Sequence, residues 1–237
     1  MSGAPDPGRE GVTAVVPAAG SGARMKPAPG DPSKQFRRLG DAPVLVQTLR
    51  ALAASPEVAA LVVVVPEAER ESVAAGLRGH GVGKVRAVVA GGETRQASVG
   101  NGLAAVETEH VLVHDGVRPF VSADALARVA AAVREAGAAA LAVPVADTLR
   151  RGAGGRFGET VPRDGVWRMQ TPQGARTAWL RDAHARAGEL ATDEVALLQG
   201  AGYPVRIVEG DARNAKLTTP ADWALALALW PSWSGAG

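Results

Sequence analysis

Short apolar runs rich in valine alternate along this chain with longer runs rich in alanine and leucine. The short runs predict strands at residues 13–18, 60–65, 85–90, 110–114, 139–145 and 205–209. The longer runs predict helices at residues 43–54, 67–77, 95–106, 123–136, 177–188, 193–199 and from 220 onward. Strands that are apolar throughout are buried on both faces, so helices must cover both sides of their sheet. The pattern predicts an α/β fold with a doubly wound, mostly parallel sheet, whose ligands bind beyond the carboxyl ends of the strands.

Length and composition limit the organisation and the partners of the chain. With 237 residues and 46% hydrophobic content, we expect a single domain over residues 1–237, with flexible tails at 1–10 and 231–237. The formal net charge is +2 and no block of like charges occurs, which favours an anionic small molecule over nucleic acid. The sequence has no cysteine, no signal-peptide pattern and no apolar run near the roughly 18 residues that cross a bilayer. We therefore expect a cytoplasmic protein without disulfides, thiolate metal sites or membrane segments.

The first predicted strand leads into "VVPAAGSGARM", residues 15–25, which places a glycine-containing turn at a strand end. A Walker A loop would require Gly-Lys-Ser/Thr at the end of this turn, and the sequence lacks it. A dinucleotide fingerprint would require a third glycine where Met25 stands, which disfavours a nicotinamide oxidoreductase. What remains is either a structural turn or a turn whose backbone N–H groups approach phosphate oxygens, with Arg24 and Lys34 following it.

Lysine usage points to the same edge of the sheet. The sequence contains four lysines against twenty-two arginines, so arginine is its default cation. Lys34 follows the glycine-containing turn, and Lys216 follows the last predicted strand. A lysine retained at these places is typical of a site that needs a compact point charge, although chance placement is the alternative.

Three further polar segments follow predicted strands. The segment "GGETRQAS", residues 91–98, either binds a ligand or caps the next helix. Asp115 in "DGVRP" ends a buried strand, where a carboxylate suits Mg²⁺ beside phosphates or simply forms a turn. Residues 146–165 are polar and glycine-rich, and at this length they predict a functional or interface arm rather than an ordinary connection.

In their order and separations, these motifs resemble those of the 2-C-methyl-D-erythritol 4-phosphate cytidylyltransferase family of the non-mevalonate isoprenoid pathway. The resemblance covers roughly residues 13–229 and is carried by "VVPAAGSGARM", "SKQF", "GGETRQAS", "VHDGVRP", "PVADTLR", "VPRDGVWRMQTPQ", "TDE" and "NAKLTTPAD". It implies a Rossmann-like nucleotidyltransferase that joins CTP to 2-C-methyl-D-erythritol 4-phosphate and releases pyrophosphate. The opening loop and Lys34 are shared with other sugar nucleotidyltransferases.

The resemblance also implies roles for individual residues. The catalytic residues would be Arg24, Lys34 and Lys216. The residues that bind CTP would be Pro17, Ala18, Ala19, Gly20, Gly22, Gly92, Glu93, Arg95, Ser98 and Gly116. The residues that hold the acceptor phosphate would be Arg118, Thr148, Arg163 and Thr171, and Asp115 would bind Mg²⁺. In the family the arm crosses to a second subunit, which implies a homodimer with Arg163 acting in the neighbouring active site.

Two departures from the family pattern concern the phosphate and metal side of the site. The proline-rich stretch "KPAPGDP", residues 26–32, is longer than in many members. Arg213 stands where some relatives carry an aspartate proposed to help hold the metal, and Asp211 is the nearest possible substitute. The alternatives to the implied activity are a cytidylyltransferase for another polyol phosphate, such as ribitol 5-phosphate, and a catalytically silent nucleotide-binding module.

Two motifs have good structural explanations. The "TDE" segment, residues 192–194, is explained equally well as the capped start of a helix. His110 and His114 lie in a predicted strand before Asp115, where we expect them to pack or form a turn rather than bind a ligand.

Overall fold

A computed structural model of the chain describes residues 11–20, 33–188 and 191–234. Its strands are β1 Val12–Pro17, β2 Arg38–Leu39, β3 Ala42–Pro43, β4 Val58–Val65, β5 Val85–Ala90, β6 His110–Val113, β7 Ala138–Pro144, β8 Leu149–Ala153, β9 Arg156–Val161, β10 Trp167–Arg176 and β11 Arg206–Glu209. Its helices are α1 Val44–Ala54, α2 Arg70–Gly79, α3 Arg95–Ala104, α4 Ala123–Ala136, α5 Thr177–Arg186, α6 Glu194–Gly200 and α7 Pro220–Ser234. The predicted strands and helices are present within two residues of their expected ends, except that a 3-10 turn at Glu67–Glu69 delays the start of α2.

The main sheet has seven strands in the order β11-β7-β10-β6-β1-β4-β5. All neighbouring pairs are parallel except those of β10, which runs antiparallel to β6 and β7. The prediction of a mostly parallel sheet is therefore confirmed. The small pairs β2–β3 and β8–β9 form two further antiparallel sheets.

The strand β10 was not predicted, although it lies inside the sheet. Its pairing shifts register between Met169 and Gln173, and Gln170, Thr171 and Gln173 are buried polar residues. Polar side chains in the middle of a strand break the apolar pattern by which a buried strand is recognised. The irregular segment of β10 lies beside the end of β6, where Gln173 pairs with Val113.

The strand β1 shows why the strands are apolar throughout. Ala14 and Val16 belong to the cluster formed with α1, α2 and α4, whereas Val15 belongs to the cluster formed with α3, α5 and α6. All three side chains are fully buried. Complete burial of a valine contributes about 1.5–3 kcal/mol, so both helical layers are held mainly by such contacts.

The helix α7 packs beside the loop that follows β6. Phe120 and Leu217 are buried in a third cluster, against which Trp230 and Trp233 of α7 pack. Asp222 accepts hydrogen bonds from the backbone N–H groups of residues 218 and 219, as expected for the start of this helix. Residues 1–10 and 235–237, where tails were predicted, lie outside the described residues.

The strand order creates a crevice at the carboxyl ends of β1 and β6. The chain passes from β1 outward to β4 and β5, and then returns to the other side of β1 with β6. Ligands of open α/β sheets bind where such a reversal separates the loops that follow adjacent strands. Pro17 is the last residue of β1, and the loops after β1 and β6 contain the predicted residues Ala18, Asp115 and Gly116.

The predicted arm contains the hairpin β8–β9, which packs mainly against itself. Phe157 on β9 is 87% exposed, although it is a large apolar side chain. Among the helices in the described part of the chain, none is both long and apolar enough to cross a membrane.

Candidate active site

A cavity of about 530 Å³ opens at the carboxyl ends of β1, β5 and β6. Its volume is within the range of about 300–1,000 Å³ that is usual for small-molecule sites. Of the predicted residues, its lining includes Pro17, Ala18, Ala19, Gly20, Lys34, Gly92, Glu93, Arg95, Ser98, Asp115 and Lys216. The remaining lining residues are Gln35, Thr94 and Val117. Gly22, Arg24 and the stretch 26–32 lie outside the described residues.

The loop after β1 is fixed by Gln35, a residue to which the sequence analysis assigned no role. The Gln35 side chain is buried, and its Nε2 donates to the carbonyl oxygens of Ala18 at 3.0 Å and Gly20 at 3.3 Å. Lys34 precedes it in the 3-10 turn and lines the cavity. The "SKQF" motif therefore combines a lysine at the cavity with a glutamine that supports the loop opposite it.

The loop after β5 lies tightly against the loop after β1. A Cβ atom on Gly91 would lie 2.5 Å from the Cβ atom of Ala19, so only glycine fits there. Ser98 Oγ accepts from the backbone N–H of Gly92 at 3.1 Å and donates to the carbonyl oxygen of Thr94 at 2.9 Å. Thr94 caps α3 by accepting from the N–H of residue 97. The Ser98 hydroxyl, predicted to bind nucleotide, thus supports the turn in this structure.

Gly116 lies where the loops after β1 and β6 touch. Its N–H donates to the carbonyl oxygen of Pro17 at 3.3 Å. A Cβ atom there would lie 3.1 Å from both Ala18 Cβ and Leu45 Cδ1. Neighbouring protein atoms, and not a ligand, therefore account for the glycine at this position. Gly116 is not among the residues that line the cavity.

Asp115 is the centre of the charged groups in the cavity. Its Oδ2 lies 3.1 Å from Lys216 Nζ and 3.2 Å from Arg118 Nε, and its Oδ1 lies 3.4 Å from both Nε and Nη2 of Arg95. Burial by itself raises the pKa of Asp115, but the charges of Lys216, Arg95 and Arg118 outweigh it and hold the pKa well below its usual range. Asp115 is therefore an ionised carboxylate surrounded by three cations.

Arg95 joins Asp115 to a second buried carboxylate, that of Glu194. Its Nη1 and Nη2 lie 2.8 Å and 3.0 Å from the two oxygens of Glu194. Burial lowers the pKa of Arg95, but the two carboxylates outweigh this effect and raise the pKa above its ordinary value. The "TDE" motif does begin a capped helix, since Asp193 accepts from the N–H of residue 196, but it also places Glu194 against the site.

Thr171 and His114 support the Asp115 loop from behind. The N–H of Asp115 donates to Thr171 Oγ1 at 3.1 Å, and Thr171 Oγ1 lies 3.1 Å from His114 Nδ1. His114 Nε2 lies 3.0 Å from the carbonyl oxygen of Arg118, which can only accept, so this nitrogen carries the proton. Nδ1 then accepts from the Thr171 hydroxyl, and the expected packing role of His114 includes fixing this loop.

Arg118 and Thr171, both predicted to bind the acceptor, are not among the cavity-lining residues. Arg118 is buried, and its Nη1 donates to the carbonyl oxygen of Asn214 at 2.7 Å. Asn214 Nδ2 in turn donates to the carbonyl oxygen of Thr171 at 2.8 Å. These contacts fix the loop that carries Lys216 relative to Asp115, so Asn214 is a further supporting residue that sequence reasoning missed.

Thr148 and Arg163 lie in the arm region, and the structure does not bring them to the cavity of this chain. Both are exposed, and Arg163 Nη1 donates to the carbonyl oxygen of Ala146. Their predicted contact with the acceptor would therefore require either movement of the arm or a second subunit.

The residues at Asp115 fit a magnesium ion that takes one protein carboxylate and completes its coordination with substrate phosphates and water, as is common for Mg²⁺. Within residues 11–20, 33–188 and 191–234, no three histidine or acidic side chains gather into a metal cage. Asp211 pairs with Arg213 at 2.5 Å and does not line the cavity. Of the two carboxylates among the described residues that line the cavity, those of Glu93 and Asp115, the one of Asp115 is buried and lies at the end of β6.

Comparisons with known proteins identify the family. A family model described as 2-C-methyl-D-erythritol 4-phosphate cytidylyltransferase matches residues 12–231. A protein of that name from Salinibacter ruber is 51% identical over 230 residues, which cover 95% of each chain. One from Geobacter metallireducens is 44% identical and covers 92% of this chain and 97% of its own. The crystal structure of the enzyme of that name from Thermus thermophilus superposes with a TM-score of 0.76 at 39% identity, covering 93% of this chain and 99% of that one. The chain therefore belongs to the 2-C-methyl-D-erythritol 4-phosphate cytidylyltransferase family.

Proposed function

We propose that this protein transfers the cytidylyl group of CTP to 2-C-methyl-D-erythritol 4-phosphate, a step of non-mevalonate isoprenoid biosynthesis. The products are 4-diphosphocytidyl-2-C-methyl-D-erythritol and pyrophosphate. The observation that carries the proposal is the cavity lined by Lys34, Lys216 and Arg95, in which the ionised Asp115 pairs with Lys216 and Arg95, in a chain of this family. A cytoplasmic location belongs to the same proposal, because CTP is made and used inside the cell.

The chemistry requires positioning and charge neutralisation rather than a general base. An oxygen of the acceptor phosphate attacks the α-phosphorus of CTP, and the bond from that phosphorus to the β-phosphate oxygen breaks. The nucleophile already carries a negative charge, so no proton has to be removed from it. Lys34 and Lys216 of the cavity, together with Arg24, would hold the mutually repelling anions together and stabilise the charge that develops on the α-phosphate and pyrophosphate.

The CTP site would be formed by the loops after β1 and β5. Pro17, Ala18, Ala19, Gly20 and Gly22 would approach the phosphates, and Gly92, Glu93, Arg95 and Ser98 would border the cytosine and ribose. Asp115 would hold Mg²⁺, which when bound neutralises phosphate charge. The support for this metal role is that Asp115 lines the cavity and is ionised, because its cationic neighbours hold its pKa low.

The acceptor site would be completed by a second subunit. We propose a homodimer in which residues 146–165 form an arm that brings Thr148 and Arg163 to the neighbouring cavity, opposite Lys216. The exposure of the hairpin, and of Phe157 at 87%, supports an arm that packs against a partner.

Pyrophosphate release by the purified protein tests the reaction. The assay contains Mg²⁺ and pairs each of CTP, ATP, GTP and UTP with 2-C-methyl-D-erythritol 4-phosphate or ribitol 5-phosphate. We expect release only with CTP and the methylerythritol substrate. Release with ribitol 5-phosphate instead would reassign the acceptor, and CTP binding without release under any condition would indicate a silent nucleotide-binding module.

Single lysine substitutions test the residue assignment. Lys34→Ala and Lys216→Ala should each lower turnover by orders of magnitude, because each removes a charge needed in the transition state. Lys84→Ala is the matched control, since Lys84 Nζ donates to the carbonyl oxygen of Ser55 outside the cavity. A near-normal rate in either cavity variant would contradict the role of that lysine.

Mixed dimers test the shared site. Chains with Arg163→Ala should be inactive alone, as should chains with Lys34→Ala. After subunit exchange in equal amounts, half of the dimers are hybrids with one intact site of two, so about a quarter of the activity should return. No return of activity in verified hybrids would show that Arg163 does not act across the interface.

A further inference from the structure

Glu194 is a buried carboxylate that the proposed reaction does not use. Its side chain is 1% exposed, and it forms a bidentate ion pair with Arg95 at 2.8 Å and 3.0 Å. Burial raises the pKa of the Glu194 carboxyl, while Arg95 opposes that rise. An apolar residue could anchor α6 without the desolvation cost of a buried charge, so the carboxylate needs a further explanation.

The position of Glu194 is fixed relative to the end of β6. Gln173 Oε1 accepts from the N–H groups of Glu194 at 2.9 Å and of Val195 at 3.1 Å, while its Nε2 donates to Asp193 Oδ2. Gln173 is buried in β10 and pairs with Val113, the last residue of β6. The start of α6 is therefore attached to the strand that leads directly to Asp115.

Arg95 is shared unequally between the two carboxylates. Its contacts with Glu194 are 2.8 Å and 3.0 Å, whereas both of its contacts with Asp115 Oδ1 are 3.4 Å. Nη2 is common to both contacts. The shorter contacts hold the guanidinium on the Glu194 side, and Asp115 Oδ1 is left with only long contacts to it.

We propose that Glu194 is a positioning residue that holds Arg95 back from Asp115 and so keeps Asp115 able to bind a divalent cation. This inference rests on the proposed function, in which Asp115 is the metal ligand. Without the charge of Glu194, the guanidinium would shift its hydrogen bonds to Asp115, where an arginine and a metal ion compete for the same oxygen. Residues that orient a metal ligand through hydrogen bonds commonly change metal affinity when they are altered.

The test measures metal binding without turnover. Mn²⁺ is titrated into the full chain without acceptor, with the protein in excess over CTP so that the nucleotide is protein-bound, and free Mn²⁺ is followed by its electron paramagnetic resonance signal. Glu194→Gln keeps the size of the side chain and removes its charge. We expect its Mn²⁺ dissociation constant to rise about tenfold.

Asp193→Asn is the matched control. It removes a charge from the same helix start and keeps a capping group for the N–H of residue 196, and the Asp193 carboxylate bonds to that N–H and to Gln173 rather than to Arg95. Its Mn²⁺ affinity should equal that of the unaltered chain. A Mn²⁺ affinity in Glu194→Gln equal to that of the unaltered chain, or an equal loss in both variants, would overturn the proposal.

A second substitution keeps the test decisive if Glu194→Gln does not fold. Glu194→Asp retains the charge but retracts it by one methylene from Arg95, so we expect the Mn²⁺ dissociation constant to rise by less than in Glu194→Gln. Unchanged affinity in this variant would also overturn the proposal. Failure of the unaltered chain to bind CTP and Mn²⁺ together would instead refute the proposed function, and this inference with it.

Discussion

The buried imidazole of His114 makes the stability of this protein depend on pH in a predictable way. His114 is fully buried, and burial lowers its pKa from 6.5 to about 4, while the Arg118 carbonyl oxygen and the charge of Asp115 oppose the shift. In the unfolded chain this histidine binds a proton more readily than in the folded one. The contribution of His114 to stability is therefore complete well above pH 6.5 and is lost as the pH falls toward 4.

The size of the effect follows from the two pKa values. A difference between 6.5 and about 4 corresponds to about 3 kcal/mol when the loss is complete. At pH 5 most unfolded chains carry the proton at this position and few folded chains do, so about 2 kcal/mol is lost relative to pH 8. This is a substantial part of the about 5–15 kcal/mol by which domains are usually stable.

Urea unfolding at pH 8 and pH 5 measures this loss. The unaltered chain is compared with His114→Gln, whose amide can still donate to the Arg118 carbonyl oxygen. Burial also lowers the pKa values of His110 and His184, but both residues are present in both chains, so their contributions cancel. Excess EDTA and a fixed protein concentration keep metal binding and association constant.

We expect the unaltered chain to lose about 2 kcal/mol more than the variant between pH 8 and pH 5. The variant should be less stable at pH 8 and approach the unaltered chain at pH 5. An equal loss in both chains would refute the reasoning, because it would show that His114 binds protons equally well in the folded and unfolded states.

Three substitutions test the packing that supports the site. Gly137 ends α4 at φ +84°, and a Cβ atom there would overlap the Trp179 ring. Gly154 has φ +57° and open space around it, so Gly154→Ala should lower the free energy of unfolding only by about 1 kcal/mol of backbone strain. Gly137→Ala should lower it by more, and equal urea midpoints of the two variants would contradict this. Asp222→Ala should destabilise the start of α7 by about 1 kcal/mol in the same assay, and no change would mean that its hydrogen bonds are dispensable. Leu126→Ala, in the fully buried face of α4, should lower the free energy of unfolding by about 2–5 kcal/mol. A loss below about 1 kcal/mol would mean that neighbouring side chains fill the void left by the leucine.

The sheet could be predicted because most of its strands are buried on both faces. A valine-rich run such as residues 61–65 is stable in a chain of this size only as a strand buried in the core. The strand β10 escaped prediction because Gln170, Thr171 and Gln173 interrupt its apolar pattern. Those polar groups are buried because they bind the backbone of the site loops. The residues that support the site therefore removed the apolar pattern by which the strand could have been predicted.

Part of the site could be predicted because the ends of the predicted strands indicate where ligands bind. Asp115 lies just beyond the end of β6, which determines its position, whereas Lys216 follows β11 through a longer loop. No site role could be predicted for Gln35 and Glu194, because their function depends on contacts with residues distant in the sequence, such as that of Glu194 with Arg95. A single sequence contains the residue types but not these distances, and a helix cap explained "TDE" without any reference to the site.

The three cations around Asp115 differ in how accessible they are, and this difference indicates how the site would respond to phosphates. The side chain of Arg118 is 9% exposed and is also bound to the Asn214 carbonyl oxygen, whereas that of Lys216 is 34% exposed and lines the cavity. A phosphate that enters the cavity can therefore reach Lys216, while Arg118 stays with Asp115. Lys216 would then exchange a carboxylate for a phosphate oxygen, and Asp115 would lose one competing cation as a divalent metal ion arrives. Binding of the phosphates and of the metal would support each other through this one lysine.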